Sequence, residues 1–343
     1  MTRMVVALAL MGCAEDTNWV PPHATEAKVL HLENGGYGPV AHRYEGEGPA
    51  VVLLHGISSN HHFWDLTPER SLALALREAG YDVWNVDLRG HGAARRTAAG
   101  KHQQGAGSID EYGRTDLRQV LSAVVAERGD EVPIHLVGHS MGGMVLVAYL
   151  ADDGEIPLTS AVVVGTPLDF VDVDKLMHTA SRASRAFSGV PLRTPFFAGL
   201  ATGKDKVHFE HLLSLLYNTD NMEDPAEALM LQRIVSPLWR GELKHLAEIG
   251  RRRAYGPRGS DRAYDQELGA VDLPVLAMAG RMDRVAPPDR VSGFERAMPG
   301  AELLVVSRSN GFSADYGHLD LGLGDAAAEE IYPRIVDWIG SHP

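Results

Sequence analysis

Gly138-His139-Ser140-Met141-Gly142 reads G-x-S-x-G and is the stretch most able to do chemistry. Before it, Pro133 to Val137 has the composition of a short buried strand, and after it Met144 to Leu150 can continue as an apolar helix. A strand, a sharp turn and a helix are the context in which this motif lifts a serine hydroxyl above a sheet edge. The helix N-terminus behind the turn points amide dipoles at any negative charge that develops there. A serine is inert at neutral pH without a base, and the base needs an acid to hold it. In this arrangement the chain order is serine, acid, histidine. His318, in Tyr316-Gly317-His318-Leu319-Asp320, follows the apolar run Ala301 to Val306 and fits the base. Asp283 follows the run Pro274 to Ala279 and fits the acid, with Asp169, after Ser160 to Val164, as the alternative. Two backbone N–H groups must also converge on the developing oxyanion. Met141, directly after the nucleophile, supplies one, and Ile57, after the run Ala50 to Leu54 and His55-Gly56, the other.

The chain has 16 histidines, so position in the chain has to choose among them. His139 is fixed inside the serine turn. His61, His62 and His91 follow early strands, in the wrong order for the base, and suit surface or hydrogen-bonding roles. No H-E-x-x-H or C-x-x-C spacing suggests a metal. No G-x-G-x-x-G opens a helix after a first strand, and Gly105-Ala106-Gly107 lies in a loop rich in Gly and Gln. No cofactor is expected.

With 343 residues the chain can hold one large domain with an insertion or two ordinary ones. A formal net charge of −13 argues against nucleic acid or an anionic membrane surface as partner, and leaves a neutral small molecule or lipid ester open. No run approaches the length of a membrane span. The one cysteine, Cys13, excludes an intramolecular disulfide. It follows Arg3 and a short apolar run, and Leu10-Met11-Gly12-Cys13 resembles the lipobox of a bacterial lipoprotein. That reading puts the protein in the cell envelope, held by a lipidated Cys13. A cytoplasmic chain with an apolar first strand, or a misplaced start, accounts for the same residues. Oligomeric state has no signature here.

The elements that must position these groups follow in order. Residues 1–27 read as signal and linker. Lys28 to Glu33 and Val40 to Tyr44 alternate around Gly35-Gly36, as an antiparallel hairpin at a sheet edge does. Thr67 is expected to cap a helix, with Pro68 at its first position and Gly80 stopping it. Asp82 to Leu88 is the next strand. Ser108 and Glu111 have capping-box spacing and open a helix that Gly129 ends. Strands alternating with helices in this way predict an α/β fold with a doubly wound, mainly parallel sheet over 28–167 and 271–343. From 168 to 270 the strand rhythm stops. Helix-prone stretches at Val207 to Tyr217 and Asp224 to Val235 mix with exposed-looking aromatics and the cluster Arg251-Arg252-Arg253. So long a segment cannot be a bare loop, and is expected to be a helical cap over the site. Asp325 to Ile339 closes the chain, with Pro333 kinking the helix or starting a second one.

Taken together these motifs resemble the α/β-hydrolase superfamily from about Val29 onward. His55-Gly56-Ile57-Ser58-Ser59, Ala79-Gly80-Tyr81-Asp82-Val83-Trp84 and Tyr316-Gly317-His318-Leu319-Asp320 are similar to the acid lipases of the gastric and lysosomal type. Gly138 to Gly143, reading G-H-S-M-G-G, is more like bacterial esterases and acyl hydrolases. Arg89 to Gly107 lacks the lipase pattern, and the cysteines of the animal enzymes are absent. Gly165 to Phe170 is similar to a stretch of polyhydroxyalkanoate synthase relatives, but those carry a cysteine where this chain has Ser140. The resemblance implies cofactor-free hydrolysis of carboxylic esters through an acyl-enzyme. The alternatives are acyl transfer from the same intermediate to another alcohol or thiol, and a lipid-binding protein without turnover.

Overall fold

The computed structural model describes residues 27–105, 107–152, 154–170 and 214–343. Cys13 and its lipobox lie outside the described residues, as does the expected helix from Val207 for most of its length.

Eight strands form one sheet in the order β1-β2-β6-β3-β7-β8-β9-β10. They are β1 (Lys28–His31), β2 (Val40–Tyr44), β3 (Ala50–Leu54), β6 (Asp82–Asp87), β7 (Ile134–His139), β8 (Ser160–Val164), β9 (Val275–Gly280) and β10 (Ala301–Val306). From β6 to β10 every pairing is parallel, and β1 and β2 add an antiparallel hairpin at one edge. The central strands are unbroken apolar runs because helices cover both faces. Along β3, Val52 and Leu54 enter one core while Val51 and Leu53 enter the other. Parallel strands also put all their carboxyl ends on one side, where successive loops can meet.

The helix expected from Thr67 starts later. The short strands β4 (Asp65–Thr67) and β5 (Arg70–Ser71) pair first, and α1 (Leu72–Glu78) begins behind Ser71. Ser71 Oγ accepts the Leu74 N–H at 3.0 Å and donates to the buried Asp65 carboxylate at 2.6 Å. Ser108 and Glu111 do form a capping box. The helix they open passes through a π-helical stretch, Tyr112–Leu117, before α2 (Arg118–Arg128) and its C-cap Gly129. Near the end, Pro333 sits in the first turn of a separate helix, Tyr332–Gly340.

Residues 214–270 carry helices α4 (Asp224–Arg233) and α5 (Arg240–Arg252) and no strand. This helical insert rests on the side of the sheet where the strands end. Ile109 N–H donates to His245 Nδ1 at 3.0 Å, and Tyr255 hydroxyl donates to the Met144 carbonyl at 3.0 Å. Its tyrosines Tyr217, Tyr255 and Tyr264 are buried, contrary to the exposure their sequence context suggests. They fill the seam between insert and sheet, where an aromatic ring removes most apolar surface from water. No helix of the described residues is long and apolar enough to cross a membrane.

Candidate active site

β7 ends at His139 and helix α3 (Met141–Leu150) begins with one residue between them, so Ser140 must make the whole turn. Its φ of 51° and ψ of −113° lie outside the regions favoured by side-chain-bearing residues. The turn closes only because its flanks are glycine. A Cβ on Gly138 would come within 2.6 Å of the Gly143 nitrogen, and one on Gly142 within 2.6 Å of the Leu54 carbonyl oxygen. The Ser140 N–H donates to the Val164 carbonyl at 2.9 Å, which ties the turn to the neighbouring strand β8.

His318 and Asp283 reach this serine from the ends of β10 and β9. His318 Nε2 lies 3.0 Å from Ser140 Oγ, and His318 Nδ1 lies 2.7 Å from Asp283 Oδ2. The other Asp283 oxygen accepts the N–H groups of Val285 and Ala286 at 2.8 and 2.7 Å. A carboxylate so held keeps its remaining oxygen for the imidazole, so Nδ1 carries the proton and Nε2 a lone pair toward the serine. All three groups are buried. Asp169, the alternative acid, points elsewhere: it pairs with Arg296 on the surface. Met141 is the first residue of α3, so its N–H has no carbonyl inside the helix to bond. Gly56, the residue before Ile57, packs on the turn; a Cβ there would sit 3.3 Å from Ser140 Cβ and 2.8 Å from His139 Nδ1.

The histidines set aside by chain order are buried, so of the surface and hydrogen-bonding roles expected for them the structure removes the first. His139 stacks on Phe63, ring centroids 4.0 Å apart, and its Nε2 donates to the His318 carbonyl at 3.2 Å. Burial, then the neighbouring His318, holds its pKa well below the ordinary value, so it stays neutral. His55 donates through Nδ1 to the Gly56 carbonyl and accepts the Leu88 N–H on Nε2, linking the ends of β3 and β6. Burial and then His91 push its pKa down to about 3. His91 goes the other way: burial alone would lower it, but the buried Glu242 carboxylate of α5, 3.2 Å away, together with Asp87 and the Arg89 backbone, raises it.

One group among the described residues, His42, His61 and Asp87, brings its ligand-type atoms within 4.8 Å of one another. The two imidazoles stack at 3.7 Å with 20° between their planes, and both bond the same Asp87 oxygen, at 3.1 and 2.8 Å. That oxygen also accepts the Ala93 N–H, and its twin accepts the His61 N–H. With both rings and two backbone N–H groups bonded to it, the Asp87 carboxylate is satisfied within the protein.

Sequence reasoning missed the residues that brace the histidine loop. Asp320 accepts the Gly317 N–H and the Asn221 amide, each at 2.8 Å, while Leu319 N–H donates to Leu216 of the insert at 2.9 Å. Tyr316 to Asp320 carried a visible motif, but nothing in the insert marked Asn221 as its partner.

This constellation can be set beside known proteins. The family model described as the alpha/beta hydrolase fold matches residues 49–315. The gastric triacylglycerol lipase of Homo sapiens is 34% identical over 353 residues, covering 91% of this chain and 84% of that one. An AB hydrolase superfamily protein of Bacillus subtilis is 27% identical, covering 77% and 85%. Among solved structures, an esterase from Exiguobacterium antarcticum shares the fold with a TM-score of 0.61 at 17% identity, covering 92% of this chain and 99% of its own. A family match from the first parallel strand almost to His318, and a lipase one-third identical along most of both chains, make this protein a member of the alpha/beta hydrolase fold family.

Proposed function

We propose that the protein is a serine hydrolase of carboxylic esters, with Ser140 as nucleophile, His318 as general base and acid, and Asp283 as the group that orients it. The observation that carries this reading is the unbroken chain of hydrogen bonds from Asp283 through His318 to Ser140, at 2.7 and 3.0 Å, on a strained turn. Ser140 Oγ gives its proton to His318 Nε2 while attacking the acyl carbon. The tetrahedral oxyanion takes the N–H groups of Met141 and Ile57. As the intermediate collapses, His318 returns the proton to the departing alkoxide and leaves an acyl-serine. Water, deprotonated by the same nitrogen, repeats the sequence and frees the acid. Asp283 keeps Nδ1 protonated throughout and stabilises the imidazolium. The helical insert is read as a cap over this site, and the likeness to a triacylglycerol lipase supports an acyl chain of fatty-acid type.

Turnover of p-nitrophenyl esters from acetate to palmitate, beside Ser140→Ala, tests the reading. Hydrolysis that falls by about 10⁴-fold or more in the variant supports it. A maximum at long chains identifies a lipase, and one at acetate or butyrate an esterase. Folded protein that turns over no ester, and whose Ser140 takes no fluorophosphonate label, overturns it. Anchoring through Cys13 is a separate proposal carried by the Leu10 to Cys13 run. A diacylglyceryl cysteine at the mature N-terminus supports that proposal, and an unmodified Met1 rejects it.

A further inference from the structure

The loop that leaves β3 through His55-Gly56-Ile57 is not held by the sheet alone. The next residue, Ser58, has a φ of 54°, in the left-handed region that non-glycine residues seldom occupy. A backbone in that state persists only where its surroundings enforce it. Here the surroundings are the helical insert. Ser58 Oγ donates to the Ser236 carbonyl at 2.6 Å, and the Ser236 N–H donates back to the Ser58 carbonyl at 2.8 Å. Two residues on, Asn60 Nδ2 donates to the Arg233 carbonyl at 2.8 Å and reaches Ser236 Oγ at 3.3 Å. The same Ser236 hydroxyl accepts the Gly92 N–H at 3.2 Å. Ser236 is buried at 2% exposure, so water competes little for these bonds.

Reciprocal bonds to one residue fix both where a peptide lies and how it is turned. The Ile57 N–H lies in the second peptide unit before the strained Ser58 Cα, so its direction follows from where the Ser236 contact holds Ser58 and from the Ile57 torsions between them. On the reading that Ile57 supplies an oxyanion donor, we infer that Ser58 and Ser236 form a positioning clip. Through it the seated insert aims the Ile57 N–H at the place the oxyanion will occupy. Both serines act through the Ile57 peptide. A donor aimed in this way stabilises the tetrahedral state and leaves ground-state binding nearly unchanged.

The clip is tested with Ser58→Ala and Ser58→Gly in the full chain. Two readouts serve: the ester that the wild type turns over fastest, and an alkyl trifluoromethyl ketone, which adds to Ser140 as an anionic hemiketal. Glycine accepts the left-handed backbone but lacks the hydroxyl, so it removes the side-chain half of the clip, leaves the Ser236 N–H bond to the residue-58 carbonyl, adds no strain, and stands in should the alanine variant fail to fold. Both variants are expected to lose about 10- to 100-fold in kcat with KM within about twofold, and to bind the ketone more weakly by the same factor. A kcat that stays at the wild-type value in Ser58→Gly overturns the clip. So does a loss confined to KM, or a fall in kcat that the ketone affinity does not follow. Wild-type protein without esterase turnover or Ser140 labelling fails at the earlier step, and that outcome counts against the ester-hydrolase reading itself.

Discussion

At His318 a single imidazole has to be a donor on one side and an acceptor on the other. Asp283 enforces that division by spending one oxygen on two backbone N–H groups and offering the other to Nδ1. Asp283→Asn should leave the fold intact and lower kcat by about 10⁴-fold, since an amide permits the wrong tautomer. Asp169→Asn, which weakens the surface pair with Arg296, should keep kcat within about twofold of the wild type. Steady-state kinetics on the two variants assigns the acid; equal losses would return Asp169 to contention. The order of serine, acid and histidine was legible in the sequence because strand ends show as apolar runs that stop at Gly or at polar residues. The choice between two aspartates after two such strands was not. It depends on Arg296 lying beside one of them, and on Val285 and Ala286 turning their amides toward the other.

At the scale of elements, the least legible feature was where helices begin. Thr67-Pro68 has the form of a helix start, yet the helix begins at Leu72. The buried Asp65 carboxylate decides this, since it needs donors and takes them from Ser71 and Tyr44. Tertiary bonding therefore overrode a local signal. Ser71→Ala removes both the cap on α1 and a buried donor to Asp65, and should cost about 1–3 kcal/mol, measured as a lower midpoint in chemical denaturation with an unchanged slope. The capping box at Ser108 was legible because both of its partners are local. The π-helical stretch after it was not, because it answers to distant packing. There Gly113 lies so close to α3 that a Cβ would come within 2.6 Å of the Val145 carbonyl oxygen. The insert was legible as helical and opaque in its contacts, for Ser236, Asn221 and His245 gain their meaning only from the loops they meet.

Across the whole molecule the buried histidines set a common response to acid. Burial lowers the pKa of His42, His62, His139 and His245, and lowers His55 to about 3 and His135 to about 4. Each such group takes up a proton more readily in the unfolded chain. Its stabilising contribution is complete above the unfolded value near 6.5 and is lost as pH falls from there toward the folded value. His91, raised by Glu242, works in the opposite sense. So does Asp116, which burial lifts to about 6 against the pull of Arg89. The histidines held neutral outnumber these, so stability should decline between pH 6.5 and 4, by roughly 1.4 kcal/mol per pH unit for each proton the unfolded chain binds in excess. Calorimetry at pH 7.5 and 4.5 should give a Tm lower in acid by about 10 °C or more. An equal or higher value at pH 4.5 would contradict neutral histidines in the core.

The direction of β1 has a practical consequence. Lys28 pairs with Arg43, and Arg43 with Trp84 near the start of β6, whereas the serine turn lies beyond the far ends of the parallel strands. Strand β1 therefore begins at the end of the sheet away from the site. A bead coupled at Lys28 itself would take hold of the molecule by its back and leave the loops that carry Ser140, Asp283 and His318 on the far side.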